Sequence, residues 1–161
     1  MWDKRITSVV LSYLAIVACH REDSAYSALQ SRGAVAMGVN QYTSSHRFDP
    51  LPDGGRIALQ REDVTDSLGI AQIRRHLRGI AEAFKQGRFD TPMFVHDQAV
   101  PGTAVMAANR NAIVYTYRDL PGGGEIRITA PDSLSVVAIH EFLAFQRTDH
   151  RVGMEPKADR R

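Results

Sequence analysis

The stretch LPDGGRI at residues 51–57 decides the fold, because the chain repeats it as LPGGGEI at residues 120–126. The apolar and polar residues that follow also recur in the same order, at an offset of 69 residues near the turn and 66 residues further on. A shared order of turn, strand and helix indicates an internal repeat. The matched positions after the turn are Ser67-Leu68 with Ser133-Leu134, Ile73 with Ile139, and Leu77 with Leu143.

The first copy predicts a hairpin followed by a helix. Residues 42–49 and 56–60 alternate in the manner of strands, and the glycines between them suit a tight turn, with positive φ expected at Gly54. Apolar residues at spacings of three and four predict a helix over residues 68–86, capped by Asp66 or Ser67. Gly87 is expected to end this helix.

The second copy predicts the same three elements. Strands are expected at residues 112–118 and 125–129, joined by a turn with positive φ at Gly123 or Gly124. Pro131 and Asp132 are expected to open a helix that runs to about Asp149. A single hairpin with one helix is not stable alone. We therefore predict an α+β domain over residues 37–150, in which two ββα repeats form a four-stranded antiparallel sheet with two helices on one face.

The segment that joins the repeats, residues 88–110, has no counterpart in the other copy. It carries Met93, His96 and Met106, and residues 103–109 predict a short helix that holds Met106. Long connections on a rigid scaffold are where binding groups tend to collect. A ligand site is therefore expected to draw on this segment.

The candidate site residues are histidines and one methionine: His96, Met106, His46, His140 and His76. His46 shares a strand face with an apolar residue, while His76 and His140 flank the apolar stripes of the two helices. If they converge, imidazoles and thioethers without a thiolate favour copper over zinc. The alternative is that each histidine is partly buried and hydrogen-bonded to its own surroundings.

Other function classes remain open, and the composition narrows them. The net charge is only +2 over 161 residues, with no basic run interleaved with aromatics, so nucleic acid is not an expected partner. The glycine runs lie at hairpin turns, and no nucleophile elbow such as G-x-S-x-G occurs, so no catalytic residue is assigned and enzyme activity is not predicted. The first alternative is a non-catalytic protein-interaction module of the cell envelope, and a small-molecule-binding domain or an enzyme ranks below it.

The N-terminus predicts export. Lys4 and Arg5 precede the apolar run ITSVVLSYLAIVA at residues 6–18, which is too short to span a bilayer. The run ends in IVAC at residues 16–19, which resembles the lipobox of bacterial lipoproteins, and Cys19 is the only cysteine. The resemblance implies a signal peptide over residues 1–18, cleavage before Cys19 and a lipid on its sulfur.

The same resemblance predicts where the protein works and what it contacts. We expect a lipid-anchored protein that faces the periplasm, with the membrane as its partner through Cys19. His20 follows the cysteine, where an aspartate would favour retention in the inner membrane of a Gram-negative cell, so the outer membrane is favoured there. Residues 19–36 are polar and rich in small side chains and predict a flexible tether, and residues 151–161 predict a disordered tail.

The domain also resembles an uncharacterised group of small bacterial proteins, some of which carry the name aspartate carbamoyltransferase. That enzyme's catalytic chain is about twice as long, and its S-T-R-T motif is absent here, so the resemblance does not imply that activity. The segments that carry the likeness are TSSHRF at 43–48, DGG at 53–55, IRRHL at 73–77, PMFVH at 92–96, PG at 101–102 with Met106, and IHEFLAFQ at 139–146 followed by His150.

Overall fold

Two hairpins join through their second strands into one antiparallel sheet, in the order β1-β2-β4-β3. The computed structural model of the protein describes residues 24–152. The predicted pair of ββα repeats and their four-stranded sheet are confirmed. In chain order the elements are α1 (24–37), a short 3-10 helix (Gln41–Thr43), β1 (Ser44–Leu51), β2 (Gly54–Arg61), α2 (Ser67–Lys85), α3 (Asp90–His96), α4 (Thr103–Ala108), β3 (Val114–Leu120), β4 (Gly123–Thr129) and α5 (Ser133–Asp149).

The sheet has an approximate twofold axis between β2 and β4. Ile57 pairs directly with Ile126, and these two residues occupy equivalent places in the two repeats. A Cβ on Gly54 would lie 2.3 Å from the carbonyl oxygen of Ile128, and a Cβ on Gly123 would lie 2.1 Å from that of Leu59. The repeated glycines therefore allow the two central strands to approach each other closely.

The expected positive φ angle is found at only one of the two turns. Gly54 has a φ of +142°, but neither Gly123 nor Gly124 has a positive φ. Both glycines are the first residues of their strands: Gly54 pairs with Leu51 and Thr129, and Gly123 pairs with Leu120 and Gln60. At the second turn the prediction was wrong, and glycine is required there by the close approach of the Leu59 carbonyl oxygen rather than by a positive φ.

The two long helices lie on one face of the sheet, and each packs against the hairpin of the other repeat. Helix α2 contacts β3 and β4, whereas α5 contacts β1 and β2. Asp66 caps α2 through the backbone N–H of Gly69, and Asp132 caps α5 through that of Ser135. Between helices and sheet, the most deeply buried side chains form one core: Ile73, Leu77, Phe84, Ile126, Ile128, Ile139, Phe142 and Leu143.

Helix α1 corrects the expectation that residues 19–36 form a flexible tether. Residues 24–37 are helical, and Leu29 and Met37 are buried against the domain. The segment contains several alanines, the residue with the highest helix propensity, and Gly38 follows the helix with a φ of +74°. The folded unit therefore already includes residue 24 and does not begin at Met37.

The C-terminal side also extends beyond the predicted boundary. Arg151 and Val152 form a turn after α5, Val152 packs against the core, and the Arg151 guanidinium lies 4.3 Å from the centre of the Tyr26 ring. The predicted disordered tail therefore does not begin at residue 151, and its remainder lies outside the described residues. The predicted signal peptide and Cys19 lie outside them as well. From residue 24 to residue 152, no helix is both long enough and apolar enough to cross a membrane.

Candidate functional site

Four histidines line one cavity of about 80 Å³, which is large enough for several water molecules or a small ligand. His46 comes from β1, His76 from α2, His96 from the end of α3, and His150 follows α5. Residues of α1 form part of the wall, and the rest is mainly apolar core. The cavity therefore brings together polar groups that are more than 100 residues apart in the chain.

His46 points from the sheet towards the helices, as the alternation along β1 predicts. Its ring centroid lies 6.2 Å from that of Phe48 and 5.0 Å from that of His150. Removal from water lowers the pKa of His46 from 6.5 to about 4, and the nearby His76 adds to this effect. The ring is therefore neutral at neutral pH.

His76 is held by the backbone of α1. Its Nδ1–H donates to the carbonyl oxygen of Ala36 over 3.1 Å, which fixes the tautomer and leaves Nε2 with a free lone pair. Burial also lowers its pKa from 6.5 to about 4. A neutral imidazole with one nitrogen anchored and the other free is the form that acts as a ligand to metals.

His96 is only 5 % exposed and has a partner at each ring nitrogen. Nδ1 contacts the Asp149 carboxylate, and Nε2 lies 2.9 Å from Oε1 of Gln146. Because the Asp149 carboxylate accepts, the Nδ1–H of His96 donates to it, and Nε2 is the ring nitrogen directed to Gln146.

His150 lies between the other rings, with its centroid 5.0 Å from that of His46 and 5.1 Å from that of His96. Burial lowers its pKa from 6.5 to about 2, and the two neighbouring histidines add to this effect. Its Nδ1 is buried without a hydrogen-bond partner, and so is Nε2 of Gln146. Buried polar atoms normally have hydrogen-bond partners. This end of the cavity is therefore suited to a ligand that accepts or donates a hydrogen bond.

The structure brings together three of the five predicted site residues. His46, His76 and His96 line the cavity, whereas His140 and Met106 do not. His140 donates from Nε2 to the carbonyl oxygen of Leu51 over 2.9 Å, beside the first hairpin turn. Met106 is fully buried in the core, where α4 packs against α5. These two residues therefore fit the alternative interpretation, in which a candidate side chain is held by its own surroundings and takes no part in a shared site.

The cavity-wall residues that sequence reasoning did not assign to the site include His150, Gln146 and Met37. A signal for two of them was present, because Phe142, Gln146 and His150 are spaced by four and share a helix face. Because Gln146 and His150 are polar, they were not recognised as a continuation of the apolar face of α5. Met37 was placed at the start of the domain, where a methionine can fill a gap in the core, and was not assigned to the site.

The histidines are close together, but their rings do not yet point at one centre. His46 and His150 are stacked, with only 15° between their planes. Within the part of the chain that the structure describes, no group of three or more His, Cys, Asp or Glu side chains stands ready to hold a metal ion. Binding a metal here would require rotation of imidazole rings and release of His96 from Gln146.

Comparisons with known proteins identify no relative. No protein-family model matches the chain, and neither a curated protein nor a solved structure matches it. The residues of the cavity are therefore the guide to function.

Proposed function

We propose that the domain binds a transition-metal ion, with copper as the leading candidate, and that a lipid on Cys19 holds it at a membrane of the cell envelope. The observation that carries the metal proposal is the convergence of four histidines in one cavity. They come from four separate places in the fold, so local helix or strand geometry does not account for their meeting.

The state of the rings supports this proposal. Protons compete with metals for imidazole nitrogen. Because the pKa values of His46 and His76 are lowered to about 4, protons would not compete strongly until the pH falls well below 6. For an ordinary imidazole, this competition begins to reduce metal affinity once the pH falls below its reference pKa of about 6.5.

The groups behind the rings give further support. Metal-binding histidines usually donate their second nitrogen to a carboxylate or a backbone carbonyl, which orients the ring. His76 has this arrangement with Ala36, and His96 has it with Asp149. Partners of this kind are expected whether or not the metal is bound.

Distances between the rings are compatible with a shared ion. A ligating nitrogen lies about 2 Å from copper or zinc, so two imidazole centroids on one tetrahedral ion are separated by about 5 Å. The separations of His150 from His46 and from His96 are 5.0 and 5.1 Å. In these two pairs, the rings would therefore need to rotate but would not need to move closer together. Among divalent ions, Cu(II) binds nitrogen ligands most tightly.

A metal titration tests the proposal. The full chain carrying Cys19→Ser, which removes the competing thiol, is titrated with Cu(II) and Zn(II) in detergent. We expect one ion per chain with a Kd below about 1 µM. His46→Asn and His96→Asn should weaken binding by about tenfold or more. His140→Asn and Met106→Leu are matched controls that should leave it unchanged. Weaker binding that none of the cavity substitutions alters would contradict the proposal.

The anchor is tested separately. Cys19→Ala should block lipid attachment and leave the protein either unprocessed or released from membranes. Maturation of the parent protein should also be sensitive to globomycin, which inhibits the lipoprotein signal peptidase. If the variant still incorporates labelled fatty acid, or if maturation of the parent protein ignores the inhibitor, the lipid anchor is wrong.

A small organic ligand is the second candidate, and the apolar wall of the cavity favours it. Phe48, Phe84 and Phe142 face the cavity beside the four imidazoles. Apolar walls with a few converging polar groups are typical of small-molecule sites. A screen of small aromatic compounds by thermal stabilisation tests this alternative, with Phe142→Leu as the variant that alters the wall.

A further inference from the structure

We infer that Met37 supplies a soft thioether ligand to the histidine cavity and thereby directs the site towards Cu(I) rather than Zn(II). This inference rests on the proposed metal-binding function. Met37 is the last residue of α1, is 6 % exposed, and lines the same cavity as the four histidines. It is the only one of the described methionines that does so.

The position of Met37 is tied to that of a candidate ligand. The carbonyl oxygen of Ala36, the preceding residue, accepts the hydrogen bond that orients His76. Gly38, the following residue, has a φ of +74° and ends the helix. The backbone on both sides of Met37 is thus defined, and α1 is further held by the bond from Arg32 Nε to the carbonyl oxygen of Val95. Helix α1 therefore presents one residue that orients an imidazole and one that carries sulfur.

Ligand chemistry gives this arrangement its selectivity. A thioether is a soft, uncharged ligand that Cu(I) prefers, whereas imidazole suits both copper and zinc. Neutral histidines alone would hold Zn(II) and Cu(II) well. Adding the sulfur of Met37 would improve the binding of Cu(I) and leave the binding of Zn(II) almost unaffected.

Met106 provides a control with the same chemistry. It is completely buried, as a core methionine should be, but it is not part of the cavity wall. Replacement of either methionine by leucine nearly conserves volume and usually costs little stability. A difference between the two variants would therefore report the position of the sulfur and not the general loss of a methionine.

The experiment measures two metals on three proteins, each the full chain carrying Cys19→Ser. Cu(I) affinity is measured by competition with a colorimetric Cu(I) chelator, and Zn(II) affinity by competition with a zinc dye. Met37→Leu should lower Cu(I) affinity by about tenfold or more and leave Zn(II) affinity unchanged. Met106→Leu should change neither affinity. Equal Cu(I) affinities in all three proteins would overturn the inference.

X-ray absorption at the copper edge provides a test that does not depend on any variant folding. The Cu(I)-loaded chain that carries only Cys19→Ser, with Met37 and Met106 intact, should show sulfur together with nitrogen around the metal. Nitrogen ligands alone would overturn the role of Met37 but leave the histidine site standing. If the protein binds neither copper nor zinc, the proposed function fails, and this inference fails with it.

Discussion

Acidification of the metal-free protein should unfold the domain at an unusually mild pH. His46 and His76 have a pKa of about 4 in the folded domain and 6.5 as the reference value for the unfolded chain. The unfolded state therefore binds more protons between these two values. The contribution of these two histidines to stability is fully present above about pH 6.5 and is lost as the pH falls towards 4.

The size of the effect follows from these values. At pH 4.5 each of the two histidines is protonated in the unfolded chain and mostly neutral in the folded domain. Linkage then removes about 2–3 kcal/mol of stability per histidine relative to pH 7.5, or about 5 kcal/mol together. His150, whose pKa is lowered in the same direction, adds to the loss. Because whole domains are stable by about 5–15 kcal/mol, this loss is large.

Urea unfolding followed by circular dichroism measures this loss of stability directly. Between pH 5.5 and 4.5, the free energy of unfolding should fall by at least about 2–3 kcal/mol. Carboxylates with lowered pKa values, such as Asp132, have a reference value of 3.8 and act mainly below this window. His76→Gln should reduce the slope, since it removes one of the titrating groups.

Magnetic resonance of the histidine rings gives the decisive check. In the folded, metal-free protein, the ring signals of His46 and His76 should stay constant from pH 7.5 to about pH 5. Signals that titrate near pH 6.5, or an unfolding free energy that barely changes over this range, would refute the reasoning. Such a result would also mean that water reaches the cavity more freely than the described packing implies.

Three substitutions test the fold. Gly54→Ala should cost about 2–3 kcal/mol, because its φ is +142° and the added Cβ would lie 2.3 Å from the carbonyl oxygen of Ile128; an unchanged urea midpoint would contradict this. Phe142→Ala should cost about 3–5 kcal/mol, because the ring is 2 % exposed in the core; thermal unfolding measures the loss. Asp132→Ala should cost about 1 kcal/mol through the lost cap on Ser135, and Asp132→Asn should recover most of it.

Local patterns predicted the elements of this fold well. The α2 helix was expected at residues 68–86 and runs from Ser67 to Lys85, with Asp66 as its cap and a positive φ at Gly87. The joining segment was expected to hold a short helix with Met106, and α4 spans Thr103–Ala108. Caps, glycine stops and apolar spacing act within a few residues, so they can be read without knowledge of distant contacts.

The α1 helix was not predicted, although its alanines favour it. Its only large aliphatic side chains are those of Leu29, Val35 and Met37. Its packing depends on residues 40 or more positions away, such as His76, which bonds Ala36, and Val95, which accepts a hydrogen bond from Arg32. An isolated helix of this length is marginal in water. Its stability therefore comes from tertiary contacts that the segment itself does not contain.

The sequence by itself determined the repeat, the two ββα units, the single sheet and the histidines as candidates. Only the tertiary structure decided that each long helix packs on the opposite hairpin, that His150 joins the cavity, and that His140 and Met106 lie outside it. The physical reason is the range of the interactions. Periodicity reports which side of an element is buried, whereas the direction of a ring depends on partners such as Ala36 for His76 and Asp149 for His96, which are 40 and 53 residues away.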